Sequence, residues 1–323
     1  MKATNVFVLL HMVVTVTVGA FAPPLREHSL RSLLSTPTSL FSGSTEENTK
    51  EAASLLKTEL LEKIATLKCL QEEDGQINVD FGVKGGEIDK KSRAPIKLDF
   101  YTVSERVGTA ADSIFDTVTE LSKINPTTKA TEGMADPEYD PSVKTPPLDG
   151  TWNLLFSTAA DASFSKNSTR GDAKASNIVD ACAGIMTNVI KFAPNVDEKT
   201  GIETPKAVSE LRVKLSVTPE GPNRVNLVFK YVAVKFTKFF FLPIRWTLYI
   251  PVPGPTIGNF VIGLSNLKRR LLRKTKTQPE RKRPKAFFDV LFLDKDLRVH
   301  KTGEDNLFIQ ARPEWKAAWK TVA

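Results

Sequence analysis

The chain has 323 residues, 41% of them hydrophobic, and a formal net charge of +8. Its length and apolar content are sufficient for one sizeable globular domain with appendages. Two cysteines, Cys69 and Cys182, argue against a disulfide-stapled extracellular module.

The first 45 residues have the composition of targeting segments. Residues 1–20 combine Lys2, an apolar run and a small Gly19-Ala20 site, as a secretory signal peptide does. Residues 21–45 contain arginine and many Ser and Thr residues but few acids, as transit peptides do. Together they resemble the bipartite leader that leads through the ER into a plastid surrounded by extra membranes. The alternative is ordinary secretion of a chain with a disordered N-terminus.

Residues 46–147 form a helical region with an insertion and a linker. The first helix is predicted over residues 54–70, with Leu56, Leu60, Ile64 and Leu67 on one face. A Gly-rich, mixed-charge insertion follows at residues 75–95. The pattern Thr102-x-x-Glu105 then predicts a capping box for a second amphipathic helix, which Asn125-Pro126 ends. A proline-rich linker occupies residues 134–147.

Residues 148–323 have the pattern of strands. The stretch LDGTWNLLFST, residues 148–158, places Gly150 at a sharp turn and then alternates Trp152, Leu154 and Phe156. This is how the first strand of a lipocalin-type barrel begins. Residues 211–217 alternate apolar and polar side chains, and a turn at 221–223 leads into an apolar strand over 225–236. The predicted fold is α+β and mainly β: a lipocalin-like antiparallel β-barrel preceded by two amphipathic helices.

The positive charge is concentrated in one insertion of the barrel region, residues 256–285. Ten basic residues fall within residues 268–285 against a single acidic residue, Glu280. Apolar residues from Phe260 to Leu272 interleave with the first basic residues, which favours a helix lying on an anionic lipid surface; a solvated insertion between strands is the alternative. The candidate membrane-surface residues are Lys268, Arg269, Arg270, Arg273 and Lys274. No motif for nucleic acid accompanies this segment, and the prolines in the uncharged stretch 246–267 argue against a membrane span.

Three motifs occur in the order found in one family. Residues 121–127 (LSKINPT) end a helix, residues 148–157 (LDGTWNLLFS) open the barrel, and residues 292–299 (FLDKDLRV) precede the last strand. In these motifs the chain resembles the plastid lipid-associated proteins, or fibrillins, from the first helix onward. Phe156 and Phe292 stand where that family usually has tyrosine, and Thr302 and Asp305 replace glycines of its terminal turn.

The resemblance implies a plastid protein that binds apolar lipids (carotenoid, quinone, fatty acid or other prenyl lipid) at thylakoid or plastoglobule surfaces, with no established catalytic activity. One alternative is a lipocalin-like enzyme that acts on a plastid lipid through Asp294 and Asp296. Another is a structural droplet-coat protein with a filled barrel. We predict no cofactor, no nucleic-acid partner and a peripheral contact with the membrane; the sequence leaves the oligomeric state open.

The candidate site residues are aromatic and basic. We expect Arg298 to lie across Trp152 at the barrel floor, against the alternative of a surface arginine paired with Asp294 or Asp296. The two aspartates are predicted to share a strand face with Arg298, an arrangement that favours a structural ion cluster over catalysis. His300, the single histidine outside the leader, is predicted to be exposed and to bind no metal. The full set of residues expected to contact a ligand or form the floor is Trp152, Phe156, Phe229, Tyr231, Phe292 and Arg298, with Gly150 as part of the motif.

Overall fold

A computed structural model describes residues 44–79, 87, 95–168, 171–197, 199–237, 245–252 and 286–322. The predicted signal peptide, residues 21–43 of the predicted transit segment and the basic residues 268–285 lie outside these ranges. Within them, no helix is both long and apolar enough to cross a membrane.

In the described ranges eleven strands carry the fold, and eight of them close into an antiparallel barrel. The barrel order is β6-β3-β2-β1-β11-β10-β9-β7, and pairing of β6 with β7 closes it. Strand β8 continues the wall along the second half of β7, and β4 with β5 forms a small separate hairpin. The predicted barrel is therefore confirmed. The strands are β1 Gly150–Ser157, β2 Ala173–Asp180, β3 Ile185–Phe192, β4 Asn195–Val196, β5 Glu203–Thr204, β6 Val208–Pro219, β7 Arg224–Phe236, β8 Trp246–Pro251, β9 Ala286–Leu293, β10 Leu297–Thr302 and β11 Leu307–Ala311.

Three helices cover one side of the barrel. They are α1 (Ser44–Asp74), α2 (Glu105–Lys123) and α3 (Lys316–Val322), with short 3-10 helices at Phe100–Thr102 and Ala160–Ala162. The predicted apolar faces of α1 and α2 pack against the outer sides of β1, β9, β10 and β11, and we call this the helix-facing cluster. Helix α1 extends beyond the predicted 54–70 at both ends.

The start of α2 corrects the predicted capping box. Ser104, not Thr102, is the N-cap, and its hydroxyl accepts a hydrogen bond from the Val107 N–H at 3.2 Å. Thr102 lies in the preceding 3-10 helix, where its hydroxyl donates to the Asp99 carbonyl oxygen at 2.6 Å. The pattern predicted the correct helix but placed its cap two residues early. The predicted end is confirmed, because α2 stops at Lys123 immediately before Ile124-Asn125-Pro126.

The segment between α2 and β1, residues 124–149, includes the predicted proline-rich stretch, and we call this whole segment the linker. It closes one end of the barrel, which we call the floor. The Thr131 N–H donates to the Pro222 carbonyl oxygen at 3.1 Å, and the Ala135 N–H donates to that of Ala181 at 2.8 Å. These bonds fasten the linker across the β6–β7 and β2–β3 turns. Its apolar side chains therefore join the inward side chains of the strands in what we call the interior cluster; from the linker these are Ala130, Met134 and Leu148.

We predict that Ser104→Ala lowers the free energy of unfolding by about 1 kcal/mol, the usual cost of removing an N-cap hydroxyl. Its hydroxyl also donates to Asp74 of α1 at 2.6 Å, so the loss affects the packing of both helices. Thr102→Ala is the matched control and should cost less, because Thr102 is exposed and caps no α-helix. Urea unfolding of the two variants measures the difference. Equal losses would show that the cap assignment is wrong.

Candidate functional site

The floor of the barrel is built around the indole of Trp152. The side chain is fully buried, and its N–H donates to the Leu148 carbonyl oxygen at 3.0 Å. The guanidinium carbons of Arg298 and Arg312 lie 5.2 Å and 3.7 Å from the ring centroid. Each is within the distance at which a cation is attracted to the face of an aromatic ring. Trp152 and Arg298 thus lie together as the sequence led us to expect, and the alternative of a surface Arg298 is excluded by its complete burial.

Arg312 is a floor residue that the sequence analysis missed. It follows the last residue of β11, and its Nη1 occupies the space where a Cβ atom on Gly150 would lie. Gly150 also has a φ of +96°, a conformation that residues with side chains rarely adopt. The Gly-x-Trp motif is therefore needed both for a turn and for the close approach of Arg312 to the ring.

Arg298 is held by neutral polar groups within the barrel. Its Nε donates to Gln310 Oε1 at 2.9 Å, and its Nη2 donates to the same oxygen and to Asn177 Oδ1. Gln310 Nε2 donates to Asn177 Oδ1 at 2.6 Å, and Asn177 Nδ2 donates to Asn188 Oδ1 at 2.8 Å. These amides come from β2, β3 and β11, so three strands orient one guanidinium. The sequence analysis named none of them.

One part of this guanidinium has no partner. Arg298 Nη1 is buried and makes no hydrogen bond, and no carboxylate of the described residues forms an ion pair with Arg298. Burial, and then the neighbouring charge of Arg312, lowers the pKa of Arg298 to about 9. The group therefore still carries its charge at neutral pH.

His300 lies inside the barrel, which corrects the prediction that it is exposed. Only 6% of the residue is accessible, and its ring stacks on Phe308 at 5.1 Å and tilts against Phe288 at 4.6 Å. Burial, and then the charge of Arg298, lowers the pKa of His300 well below its usual range. The imidazole is consequently neutral, and its Nδ1 has no hydrogen-bond partner. Among the described residues no group of three or more His, Cys, Asp and Glu side chains could hold a metal ion.

The interior away from the floor is lined by apolar side chains. Phe229 of β7 faces inward, as expected, and is only partly buried. Trp246 stacks on Phe236 with ring centroids 4.4 Å apart, and Leu248 follows on the same side of β8. Partial exposure of inward apolar groups contrasts with the complete burial of Trp152 and Arg298 at the floor.

Three of the predicted ligand-contacting residues point away from the interior. Phe156 packs against Phe100 at 5.7 Å in the helix-facing cluster, and Phe292 belongs to the same cluster. Tyr231 contacts Tyr249 at 5.7 Å, and Tyr249 is 64% exposed. The prediction that these three line the barrel is therefore wrong.

Three β-bulges explain the displaced faces. Between Leu154 and Phe156 the register with β11 shifts, so the face of the strand changes after Trp152 and Leu154. The register with β6 shifts between Phe229 and Tyr231, and Lys230 becomes the extra residue. Phe292 lies outside for the same reason, because the register with β10 shifts between Val290 and Phe292, and Leu291 becomes the extra residue.

Asp294 and Asp296 lie in the turn between β9 and β10, not on a strand face shared with Arg298. Lys57 of α1 donates to both carboxylates, at 2.7 Å and 2.9 Å. Asp294 Oδ1 also accepts from the backbone N–H groups of Asp296 and Leu297, at 2.8 Å and 2.7 Å. The pair therefore fastens α1 to the floor end of the barrel, and neither carboxylate reaches the interior.

Asp161, in the 3-10 helix after β1, carries a perturbed carboxyl group. Its Oδ1 is buried without a hydrogen-bond partner. Burial, and then the charges of Glu304 and Glu87, raises the pKa of Asp161 to about 7. The folded chain therefore holds a proton on this group at pH values where the unfolded chain has lost it.

The comparison with family models gives one match, to the family described as PAP_fibrillin, over residues 104–311. None of the curated proteins and none of the solved structures is significantly similar to the chain. The matched span begins at the N-cap of α2 and ends at the last residue of β11. It therefore takes in α2, the linker and every strand of the barrel.

We predict that Lys57→Met lowers the free energy of unfolding by about 1–3 kcal/mol, because it leaves two half-buried carboxylates without their cation. Lys123→Met is the control, since the Lys123–Glu120 pair on α2 is exposed and should contribute no more than about 0.5 kcal/mol. Urea unfolding at low and moderate salt compares them. The prediction is wrong if Lys57→Met lowers the free energy of unfolding no more than Lys123→Met does.

We also predict that Asp161→Asn stabilises the fold in a pH-dependent way. A carboxyl whose folded-state pKa is raised to about 7 does not lower the free energy of unfolding when the pH is below the pKa of the same group in the unfolded chain. Its cost grows as the pH rises towards 7 and is constant above that value. The gain from the asparagine should therefore be larger at pH 8 than at pH 4.5, as measured by unfolding midpoints. A difference that does not vary with pH would contradict the assignment.

Proposed function

The chain belongs to the PAP/fibrillin family, whose members are lipid-associated proteins of the plastid, and from that premise we propose that it binds one apolar lipid inside its barrel. The observation that carries the proposal is the uneven filling of the interior. The floor is closed by buried residues, whereas Leu227 and Phe229 of β7 and the inward side chains of β8 stay partly exposed. An apolar surface that faces inward and remains accessible is what a lipid tail would cover.

A carrier function is preferred to an enzyme because of where the acidic residues lie. Asp294 and Asp296, the candidates for acid and base, are bound to Lys57 at the outside of the floor. A lipid inside the barrel would not meet them. No observation in the described ranges therefore favours the enzyme, and the family is generally lipid-associated or structural.

The membrane or droplet surface is the second part of the proposal. We propose that the basic segment, with Lys268, Arg269, Arg270, Arg273 and Lys274, holds the protein on an anionic thylakoid or plastoglobule surface. The segment is joined to the chain between β8 and β9, so it would bring this part of the barrel close to the lipid phase. Flotation with vesicles containing anionic lipid, before and after exchange of these five residues for glutamine, tests this contact separately from the interior site.

We predict that Leu248→Lys abolishes lipid retention by the barrel. The full chain is exposed to total thylakoid lipid, repurified and extracted, and the extract is analysed by mass spectrometry. The wild-type chain should retain one or a few apolar species in stoichiometric amount. A lysine at the inward position 248 should remove them, because a charge is costly to bury against a lipid tail.

Tyr249→Lys is the matched control, because Tyr249 is the next residue of the same strand and is 64% exposed. It should retain lipid as the wild type does. Loss of lipid in both variants would point to the surface of β8 and not to the interior. A folded wild-type chain that retains no lipid would overturn the proposal and favour a filled barrel with a coat function.

A further inference from the structure

The interior of the barrel contains a positive charge that has no negative partner among the residues described by the structure. Arg298 is completely buried and its pKa stays high enough, at about 9, to keep the guanidinium charged at neutral pH. The groups that contact it are the neutral amides of Gln310 and Asn177 and the rings of Trp152 and Phe288. The nearby imidazole of His300 is neutral as well.

The second guanidinium that contacts the indole, that of Arg312, has a different electrostatic environment. The carboxylates of Glu314 and Asp149 lie near enough to it to raise its pKa, which partly offsets its burial. For Arg298 the single neighbouring charge that acts on its pKa is Arg312, and it acts in the opposite direction. One guanidinium of the floor is therefore compensated by the protein and the other is not.

The uncompensated group also has a free donor. Nε and Nη2 of Arg298 are used by Gln310 and Asn177, whereas Nη1 is buried and has no acceptor. A buried donor without an acceptor is rare in folded proteins, and it is most costly when the donor is charged. An oxygen atom supplied by a ligand would satisfy the donor and the charge together.

We propose that the barrel binds its lipid by a single carboxylate, which accepts a hydrogen bond from Arg298 Nη1 while the apolar tail extends towards β7 and β8. This inference rests on the proposed function and specifies the class of lipid: a long-chain carboxylic acid bound with its head at the floor. One guanidinium matches one negative charge, and the neutral amides beside it offer no second cation for a phosphate or a diphosphate. Phe229 and Leu248 pack against the same interior cluster of apolar side chains as Trp152 of the floor, which suits a hydrocarbon chain.

The first test compares oleic acid with oleyl alcohol, which has the same chain and no charge. Binding of each to the full chain is measured by equilibrium dialysis below the concentration at which either lipid aggregates. The acid should bind at least about tenfold more tightly, in line with the strength of hydrogen bonds to charged groups. Equal affinities would overturn the carboxylate site and leave the proposed lipid-binding function intact. If neither lipid binds to a folded chain, both proposals fail.

Two variants then identify the residue. Arg298→Gln should reduce the affinity for oleic acid at least about tenfold and leave that for oleyl alcohol unchanged. Arg312→Gln is the matched control, because it removes the other guanidinium on Trp152 and should leave the preference for the acid in place. If the preference for the acid survives Arg298→Gln and disappears in Arg312→Gln, then Arg312 binds the carboxylate and the proposal for Arg298 is wrong.

Gln310→Glu keeps the proposal testable if Arg298→Gln does not fold. The new carboxylate would have the shape of the amide that already bonds to Arg298, and it would supply the missing charge from within. It should raise the melting temperature and abolish the preference for oleic acid over oleyl alcohol. A Gln310→Glu protein that is less stable and still prefers the acid would contradict the proposal.

Discussion

The contact of the Trp152 indole with two guanidinium groups is the interaction on which the floor of the barrel depends. Arg312 reaches it from the end of β11 and fills the space next to Gly150, while Arg298 reaches it from β10. The ring N–H is bonded to the linker at Leu148, so the same side chain connects the first strand, the last two strands and the segment that closes the floor. The aromatic ring lets two arginines be buried here at a smaller cost in free energy than in a purely aliphatic core.

The outside of the same strands is fixed by a different constraint, the cover of three helices. Side chains from β1, β9, β10 and β11 face the helices, and Lys57 of α1 bonds to the β9–β10 turn. These strands therefore have apolar side chains on both faces. In such strands alternation does not distinguish inside from outside, because either assignment buries an apolar residue.

This is why the sequence predicted the elements better than the directions of their side chains. The apolar faces of α1 and α2, the β6–β7 hairpin and the barrel itself follow from local patterns, and Ser216 or Arg212 in β6 marks its outer face clearly. Phe156 and Tyr231 were assigned to the inner face from the alternation of side chains along a strand, and a bulge lies just before each of them. Nothing in the residues Leu154, Leu155 and Phe156 marks a bulge, since all three are apolar. The shift depends on the pairing with β11, which local sequence does not contain.

The candidate site could be predicted only in part for the same reason. Trp152 and Arg298 lie in motifs that can be recognised along the chain, whereas Asn177, Asn188 and Gln310 are isolated polar residues on three strands. What they share is their height along the barrel on its inner face. This can be recognised only when the strand order and register are known. Gln310 did offer a local signal, because it interrupts the otherwise apolar strand β11.

The composition of the interior favours the proposed carrier role over a merely structural one. A barrel that needed only to be filled would be more stable with an apolar side chain at position 298, since replacing a buried charge by a well-packed apolar group is often neutral or stabilising. The chain instead keeps a guanidinium there and orients it with amides from three strands, yet no acid in the described parts of the chain neutralises it. Amides fix the direction of a donor without competing for its charge. That arrangement destabilises the empty barrel, and a bound anion would remove the destabilisation. The free energy of folding that is lost at Arg298 therefore becomes a favourable contribution to binding.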